Sequence, residues 1–339
     1  MQVSADAGGE RRMILRIRQF LTLANLTAVE AIRQPICLLL ITACVLLTGL
    51  IPLLLLHQFG EDGRMVRDSA LAFHFVFGLF IASYAACSSL SREMTSGTAS
   101  AVLSKPVGRE VFFLAKFAGI AAVICAFSAC AAIATLLSER VAEKFIETRF
   151  VYVTDVQTGK MLLAAPFVAY LMAGIINYKA RRPFESVAFG LLFASLLTVV
   201  LIASFFDNWG HLASFNPGLQ WRILSASLLI TMALIVLSAI ALGLSVRLGT
   251  VPTMTVLVVV LFAGLVSDYT FGRMAPTSNA ALFLYRVIPN WQHFWIPEAL
   301  VNGGIIPWKY ILDAGLYGAA YSAGILCLGI IAFRHTEVK

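Results

Sequence analysis

Long apolar stretches recur along the whole chain and constrain its fold more than any other feature. A helix needs about 20 mostly apolar residues to cross the hydrocarbon core of a bilayer. Eight stretches approach that length: 36–56, 69–90, 111–137, 161–178, 187–206, 223–245, 250–267 and 308–333. Hydrophobic residues make up 60% of the chain and charged residues 13%, whereas a typical soluble domain has roughly 45–50% and about 25%. The sequence predicts an all-α polytopic membrane protein and excludes a soluble enzyme or a nucleic-acid-binding module.

The distribution of Lys and Arg predicts which side of the membrane each connection faces. Fifteen of the 25 Lys and Arg residues lie on one side, in the N-terminal segment, in 91–110, in 179–186, at Lys116, at Arg247 and at the C-terminus. The other side has ten, four of them in 138–160 among compensating acidic residues. Since connections rich in Lys and Arg stay in the cytoplasm, we expect a multi-pass protein of the cytoplasmic (inner) membrane with both termini in the cytoplasm.

Termini on the same side require an even number of spans. Eight is the favoured number within a range of six to eight. The weakest candidate is 161–178, which is short and contains Pro166. If 161–206 forms a re-entrant hairpin instead of two spans, six spans remain.

The N-terminal segment 11–34 mixes Arg with Ile, Leu and Phe at roughly helical spacing. This pattern predicts an amphipathic helix lying on the cytoplasmic leaflet and ending at Pro35, since the residue before a proline disfavours helix. The alternative is a helical extension of the first span.

The chain lacks the usual motifs of enzymatic chemistry. The only Gly-Lys pair, Gly159–Lys160, has neither the upstream glycine nor the downstream hydroxyl of a phosphate-binding loop. No histidine begins a His-Glu-x-x-His zinc motif. Within the spans the ionisable residues are few: Lys116 is expected to snorkel to the cytoplasmic surface, and His74 and Asp313 are expected to be interfacial groups at the outer ends of their spans. We therefore expect neither an enzyme, a metal site nor a cofactor in this chain.

The most distinctive connection is 91–110, between the second and third apolar stretches. Arg92 and Glu93 begin it, Gly97-Thr98 follow, and a short helix-prone run leads to Pro106 and Gly108, which favour a turn. Arg109 then opens the next span. This order predicts a short cytoplasmic helix held between two transmembrane helices, a suitable element for receiving motion from a soluble partner.

The pattern closely resembles the ABC-2-type permease family, the membrane subunits of many ATP-binding-cassette exporters. The matching positions are Glu93, Gly97-Thr98, Val102-Leu103, Pro106-Val107-Gly108-Arg109 and Lys116. Residues 239–250 are similar to the family's tight cytoplasmic turn, and Ile288–Trp295 and Phe333-Arg334 to its C-terminal portion. The family usually has six spans, whereas this sequence inserts a charged outer loop and two further hydrophobic segments over 138–206.

The resemblance implies that residues 1–339 form a single ABC-2-type transmembrane domain. It implies a separate soluble ATPase that binds ATP and Mg²⁺, and a second permease chain, identical or related. Coupling to the ATPase would fall to Arg92, Glu93, Gly97, Thr98, Pro106, Gly108 and Arg109. The membrane lipid would be the remaining partner, with no role for nucleic acid. The competing hypotheses are a secondary transporter or channel, and a non-transporting membrane assembly factor.

The sequence also indicates local features of two outer connections. The long segment 268–307 is aromatic, and its Trp291, Phe294 and Trp295 are interpreted as an interfacial aromatic belt with a second role as an outer gate. The loop 138–160 is compatible with a small strand pair or a helix extension.

Overall fold

The computed structural model describes residues 3–54, 63–95, 108–146, 151–206, 211–212 and 218–334, and nearly all of them are helical. The α-helices in this part of the chain are α1 (Val3–Ile32), α2 (Pro35–Leu54), α3 (Arg64–Thr95), α4 (Arg109–Val141), α5 (Val156–Ala180), α6 (Phe184–Ala203), α7 (Ile223–Ser245), α8 (Thr250–Leu265), α9 (Asn279–Val287) and α10 (Trp308–Arg334). A π-helical turn (Asp268–Gly272) and two 3-10 turns (Trp291–His293 and Pro297–Gly303) lie between α8 and α10.

Within the described ranges, seven helices are long and apolar enough to cross a membrane: α2 to α7 and α10. The apolar α8 has 16 residues and is the eighth candidate. The chain is therefore a polytopic α-helical membrane protein with seven to eight spans, and the predicted fold class is confirmed.

Contacts between helix ends show that successive spans run in opposite directions. The Arg33 guanidinium after α1 donates to Ser186 in α6, and Arg109 in α4 donates to a carbonyl at the end of α10. We call this end of the bundle, where α1 and α10 end, the terminal side. At the opposite end, the far side, Ser138 Oγ in α4 donates to the Thr48 carbonyl in α2 at 2.7 Å.

Helices α5 and α6 form a hairpin of two full-length helices, so the re-entrant alternative for 161–206 is wrong. Helix α5 has 25 residues and continues through Pro166. It ends at Arg181, whose φ of 51° is left-handed, and Pro183 directly precedes α6. Proline inside a membrane helix is tolerated because neighbouring groups satisfy the freed carbonyl.

Helix α4 lies at the centre of the bundle, packed against α1, α2, α3, α5, α6, α7 and α10. Its side chains Phe112, Phe113 and Phe127 are among the largest that are fully buried. Helix α1 crosses it at Gly119, where an added Cβ would lie 2.5 Å from the Ala24 carbonyl oxygen. This glycine is therefore what allows the two backbones to approach.

Helix α1 begins eight residues before the predicted start at residue 11 and ends, as predicted, just before Pro35. It is a separate helix, because the chain turns at Arg33 and Gln34 before α2 begins. The extension alternative is therefore wrong.

The 138–160 loop contains both of the elements that its sequence is compatible with. Helix α4 extends to Val141, and the strands β1 (Lys144–Ile146) and β2 (Val151–Val153) then pair antiparallel, with Lys144 opposite Val153. This hairpin leads directly into α5.

Candidate coupling site and far-side pocket

The two ends of the predicted coupling segment both lie on the terminal side. Helix α3 ends at Thr95 and α4 begins at Arg109. Arg92 and Glu93 belong to the last turn of α3, but their side chains lie outside the described part of the structure. Gly97, Thr98 and Pro106 lie outside the described residues altogether.

Gly108 and Arg109, the two coupling residues that can be described in full, form the start of α4. The Gly108 backbone is extended and its carbonyl accepts the first helical hydrogen bond, from Phe112 N at 3.1 Å. Arg109 Nη1 donates to the Arg334 carbonyl oxygen at 2.8 Å. The Arg334 guanidinium in turn contacts the Glu110 carboxylate. The end of α10 is thus attached to the first turn of α4 by two polar contacts.

Stacked aromatic rings hold the same two helix ends together beneath these polar contacts. Phe333 in α10 lies parallel to Phe112, with ring centroids 6.0 Å apart and an interplanar angle of 14°, and 5.9 Å from Phe113. Gly329 provides room for Phe113, since an added Cβ would lie 2.7 Å from its ring. A displacement of the start of α4 therefore moves the end of α10 with it.

Lys116 does not snorkel to the surface, so that prediction is wrong. Its side chain is 2% exposed, its Nζ lies 4.0 Å from Glu30 Oε2 of α1, and it lies 5.6 Å from the centre of the Phe112 ring. Helix α1 covers this part of α4 and supplies the carboxylate. The position of Lys116 near the end of its span can be read from the sequence, but the packing of α1 over it cannot.

The far side contains an apolar cavity of about 210 Å³ between α3, α7 and the turn after α9. Trp291, Phe294 and Trp295 form part of its wall. Trp291 and Phe294 are buried, so the aromatic-belt interpretation is wrong for these two; Trp295 is 38% exposed. The Trp291 indole donates to the Val260 carbonyl at 3.3 Å, which fixes the ring against α8.

A buried ion pair on the far side was not predicted from the sequence. Arg140 Nε at the end of α4 donates to Asp155 Oδ2 at 2.8 Å, and its Nη2 donates to the Phe206 carbonyl at 2.7 Å. Asp155 also caps α5, accepting from Thr158 N at 2.9 Å. The available signal was the aspartate immediately before an apolar helix, which is typical of an N-cap.

His74 is fully buried in α3, which contradicts the expected interfacial position. Its ring lies edge-on to Phe127 at 5.7 Å, and neither ring nitrogen has a hydrogen-bond partner among the described residues. Asp313, by contrast, is exposed near the far-side end of α10. Buried ionisable groups inside spans are costly and frequently functional. The burial of His74 therefore makes it a candidate functional residue, which its expected interfacial position did not.

In the part of the chain that the structure describes, no cluster of three or more His, Cys, Asp or Glu side chains could hold a metal ion. The sequence matches no known family model. No curated protein and no solved structure matches it either. The geometry on the terminal side is therefore the basis for a functional proposal.

Proposed function

We propose that this chain is the permease subunit of an ABC-2-type exporter, forming the transmembrane pathway and coupling it to ATP hydrolysis by a separate soluble ATPase. The observation that carries the proposal is the position of the family-like motif of 91–119. Its second half begins α4, the helix that packs against most of the other spans.

The contacts of α4 suggest how such coupling would operate. A partner pushing on the segment before Gly108 would displace the start of α4. Arg109 and the Phe112–Phe333 stack would carry α10 along, and the crossing at Gly119 would carry α1. Rigid-body movement of packed helices is a common form of such switching. The far-side cavity beside Trp291 would then lie at the opposite end of the moving bundle, as an outer gate.

The distribution of charge supports the orientation in this proposal. The terminal side carries Arg33, Arg109, Arg182, Arg247 and Arg334. They belong to the fifteen of 25 Lys and Arg residues assigned to one side from the sequence, and such an excess favours a cytoplasmic location. Both termini and the coupling segment would then face the cytoplasm across the inner membrane. ATP and Mg²⁺ would be held by the ATPase, and a second permease chain would complete the pathway.

Affinity purification of the tagged chain from its native membranes, followed by mass spectrometry, tests the proposal. We expect an ATPase with nucleotide-binding motifs to copurify with the wild type and to be lost from Glu93→Ala/Arg109→Ala. Arg247→Ala is the matched control, since it removes an exposed arginine from another terminal-side connection. If the wild type recovers no ATPase under conditions that keep other transporters of this kind intact, the proposal fails.

A second candidate function, ion-coupled transport without ATP, is favoured by one observation. His74 is a titratable group, buried at 0% exposure inside a span, and in the part of the chain that the structure describes its ring nitrogens have no hydrogen-bond partner. Such a transporter would move substrate in liposomes containing this protein alone, and His74→Phe would abolish that flux. Under the permease proposal the same variant retains ATPase-dependent export, because His74 lies away from the coupling site.

A further inference from the structure

The α5–α6 hairpin has an open groove whose two parts differ in polarity. On the terminal side is a wide mouth of about 620 Å³ lined by Arg33, Arg182, Ser186 and Gly190. A second cavity of about 450 Å³ continues between α5 and α6, and Leu191 lines both. The hairpin is part of the insertion that distinguishes this chain from the usual family layout, and it lies outside the proposed coupling site.

The inner part of the groove is suited to hydrocarbon. Its lining is almost entirely aliphatic, including Ala165, Met172 and Val199. Its two hydroxyl groups are already engaged: Ser195 Oγ donates to the Leu192 carbonyl at 2.8 Å and Thr198 Oγ1 to the Ala194 carbonyl at 2.9 Å. Neither hydroxyl therefore has a proton left to donate to a polar ligand, whereas an alkyl chain needs no hydrogen-bond partner.

The mouth of the groove is suited to an anion. Arg33 and Arg182 line it, and within the described residues neither forms an ion pair. Arg33 Nε lies 3.4 Å from Ser186 Oγ, in the first turn of α6, where helix dipoles favour negative charge. Glu185 is in the same turn but does not line the mouth.

We propose that this groove binds an anionic phospholipid, with the phosphate between Arg33 and Arg182 and an acyl chain along α6. The groove is long enough to hold an acyl chain. Ser186 and Ile202 are sixteen positions apart on one helix, so the groove is roughly 24 Å long. That exceeds one leaflet's share, roughly 15 Å, of the hydrocarbon core. The lipid would connect the end of α1 to the inserted hairpin, and this proposal does not depend on the permease function.

Native mass spectrometry of the delipidated, detergent-purified protein tests the assignment. The probes are phosphatidylglycerol and phosphatidylcholine with identical acyl chains. We expect the wild type to retain one phosphatidylglycerol in preference to phosphatidylcholine. Arg33→Gln/Arg182→Gln should weaken phosphatidylglycerol binding by roughly 25-fold, from about 1 kcal/mol of attraction for each cation near anionic lipid. Lys179→Gln/Arg181→Gln, which removes two charges from the same turn but outside the mouth, is the charge-matched control.

A second pair of variants tests the acyl-chain path without disturbing the fold. A Cβ added at Gly190 or Gly174 meets no atom within 4 Å, and leucine favours helix more than glycine does. Gly190→Leu narrows the mouth where the acyl chain would pass into the inner part of the groove, and it should weaken retention of phosphatidylglycerol. Gly174→Leu adds the same side chain to α5 but does not line the groove, so it should bind like the wild type.

Three results would overturn the proposal. Equal retention of the two lipids would exclude charge recognition. Competition by glycerol 3-phosphate as effective as that by the intact lipid would indicate a free phosphate ligand. A dimer that disappears specifically in Gly190→Leu, with lipid retention unchanged, would show that a second copy of this chain occupies the groove.

Discussion

Two arginine–carboxylate pairs stabilise opposite ends of the bundle, and they differ in their access to water. On the far side the Arg140 and Asp155 side chains are 0% and 5% exposed. On the terminal side the Arg334 and Glu110 side chains are 57% and 52% exposed. The chemistry is the same in both pairs, but the surroundings decide how much each contributes and how readily it can exchange partners.

The difference separates a fixed end from an adaptable one. A buried charge that loses its partner is left desolvated, so the far-side pair cannot open cheaply. An exposed pair is solvated by water when it opens and typically contributes about 0–1 kcal/mol. The terminal side, where a partner protein is proposed to act, is therefore the end whose polar contacts can rearrange.

The largest expected effect follows from breaking the far-side pair. Asp155→Ala would remove the buried carboxylate that accepts from Arg140 Nε and would remove the cap of α5, so we expect a loss of about 3–5 kcal/mol in the free energy of unfolding. Thermal unfolding in detergent measures it. Lys160→Ala, which removes an exposed charge from the same helix, is the control. A variant as stable as the control would mean that Arg140 is solvated.

A smaller effect is expected where the far-side turn packs against α8. A Cβ added at Gly264 would lie 2.3 Å from the Pro289 carbonyl oxygen and 2.4 Å from the Trp291 indole nitrogen. Gly264→Ala should therefore destabilise the protein by about 1–3 kcal/mol, as overpacking does, and should change tryptophan fluorescence. Gly174→Ala, in open space, should be neutral or stabilising. Equal behaviour of the two variants would contradict the packing of Trp291 on α8.

The sequence predicted the spans well because a span is a local property. Twenty apolar residues define it without reference to the rest of the chain, so α2 to α7 and α10 match their predicted stretches to within a few residues at most ends. The stretch 250–267 also matches α8 to within two residues, but the helix ends at Leu265 and is followed after a bend by a π-helical turn. Its end is shaped by Trp291, a contact that no local pattern records.

Polar residues were predicted less well because their environment depends on neighbouring helices. Lys116 and His74 were both expected at interfaces, yet α1 covers Lys116, and α4 packs its Phe127 ring against His74. Arg140 and Asp155 lie on either side of the β-hairpin, and only the folded chain brings them together. The coupling residues Arg92 and Glu93 remain predictions from the motif.

Breaking the exposed pair of Arg334 and Glu110 should have little effect on stability, in contrast to breaking the buried pair. Glu110→Gln removes the partner of the Arg334 guanidinium, but both groups are accessible to water, so we expect a change of at most about 1 kcal/mol. Salt screens exposed charges, so the difference should shrink as NaCl is raised in the same thermal unfolding assay. A loss comparable to that of Asp155→Ala would show that the terminal side is as fixed as the far side.

The smallest effect concerns pH and a tyrosine on the far side. The Tyr285 hydroxyl donates to Asp268 Oδ1 at 2.7 Å, and this hydrogen bond to a carboxylate raises the pKa of Tyr285 above its ordinary value of about 10. A raised pKa means that folding favours the neutral phenol. Its contribution to stability is therefore fully present below about pH 10 and is lost as the pH rises through the raised pKa. Thermal unfolding of the wild type and Tyr285→Phe between pH 8 and pH 11 should show a difference that narrows at the alkaline end. Because Tyr285 belongs to the connection between α8 and α10 and is only partly buried, the effect should be small. A difference that stays constant with pH would mean that the Asp268 contact does not favour the neutral phenol.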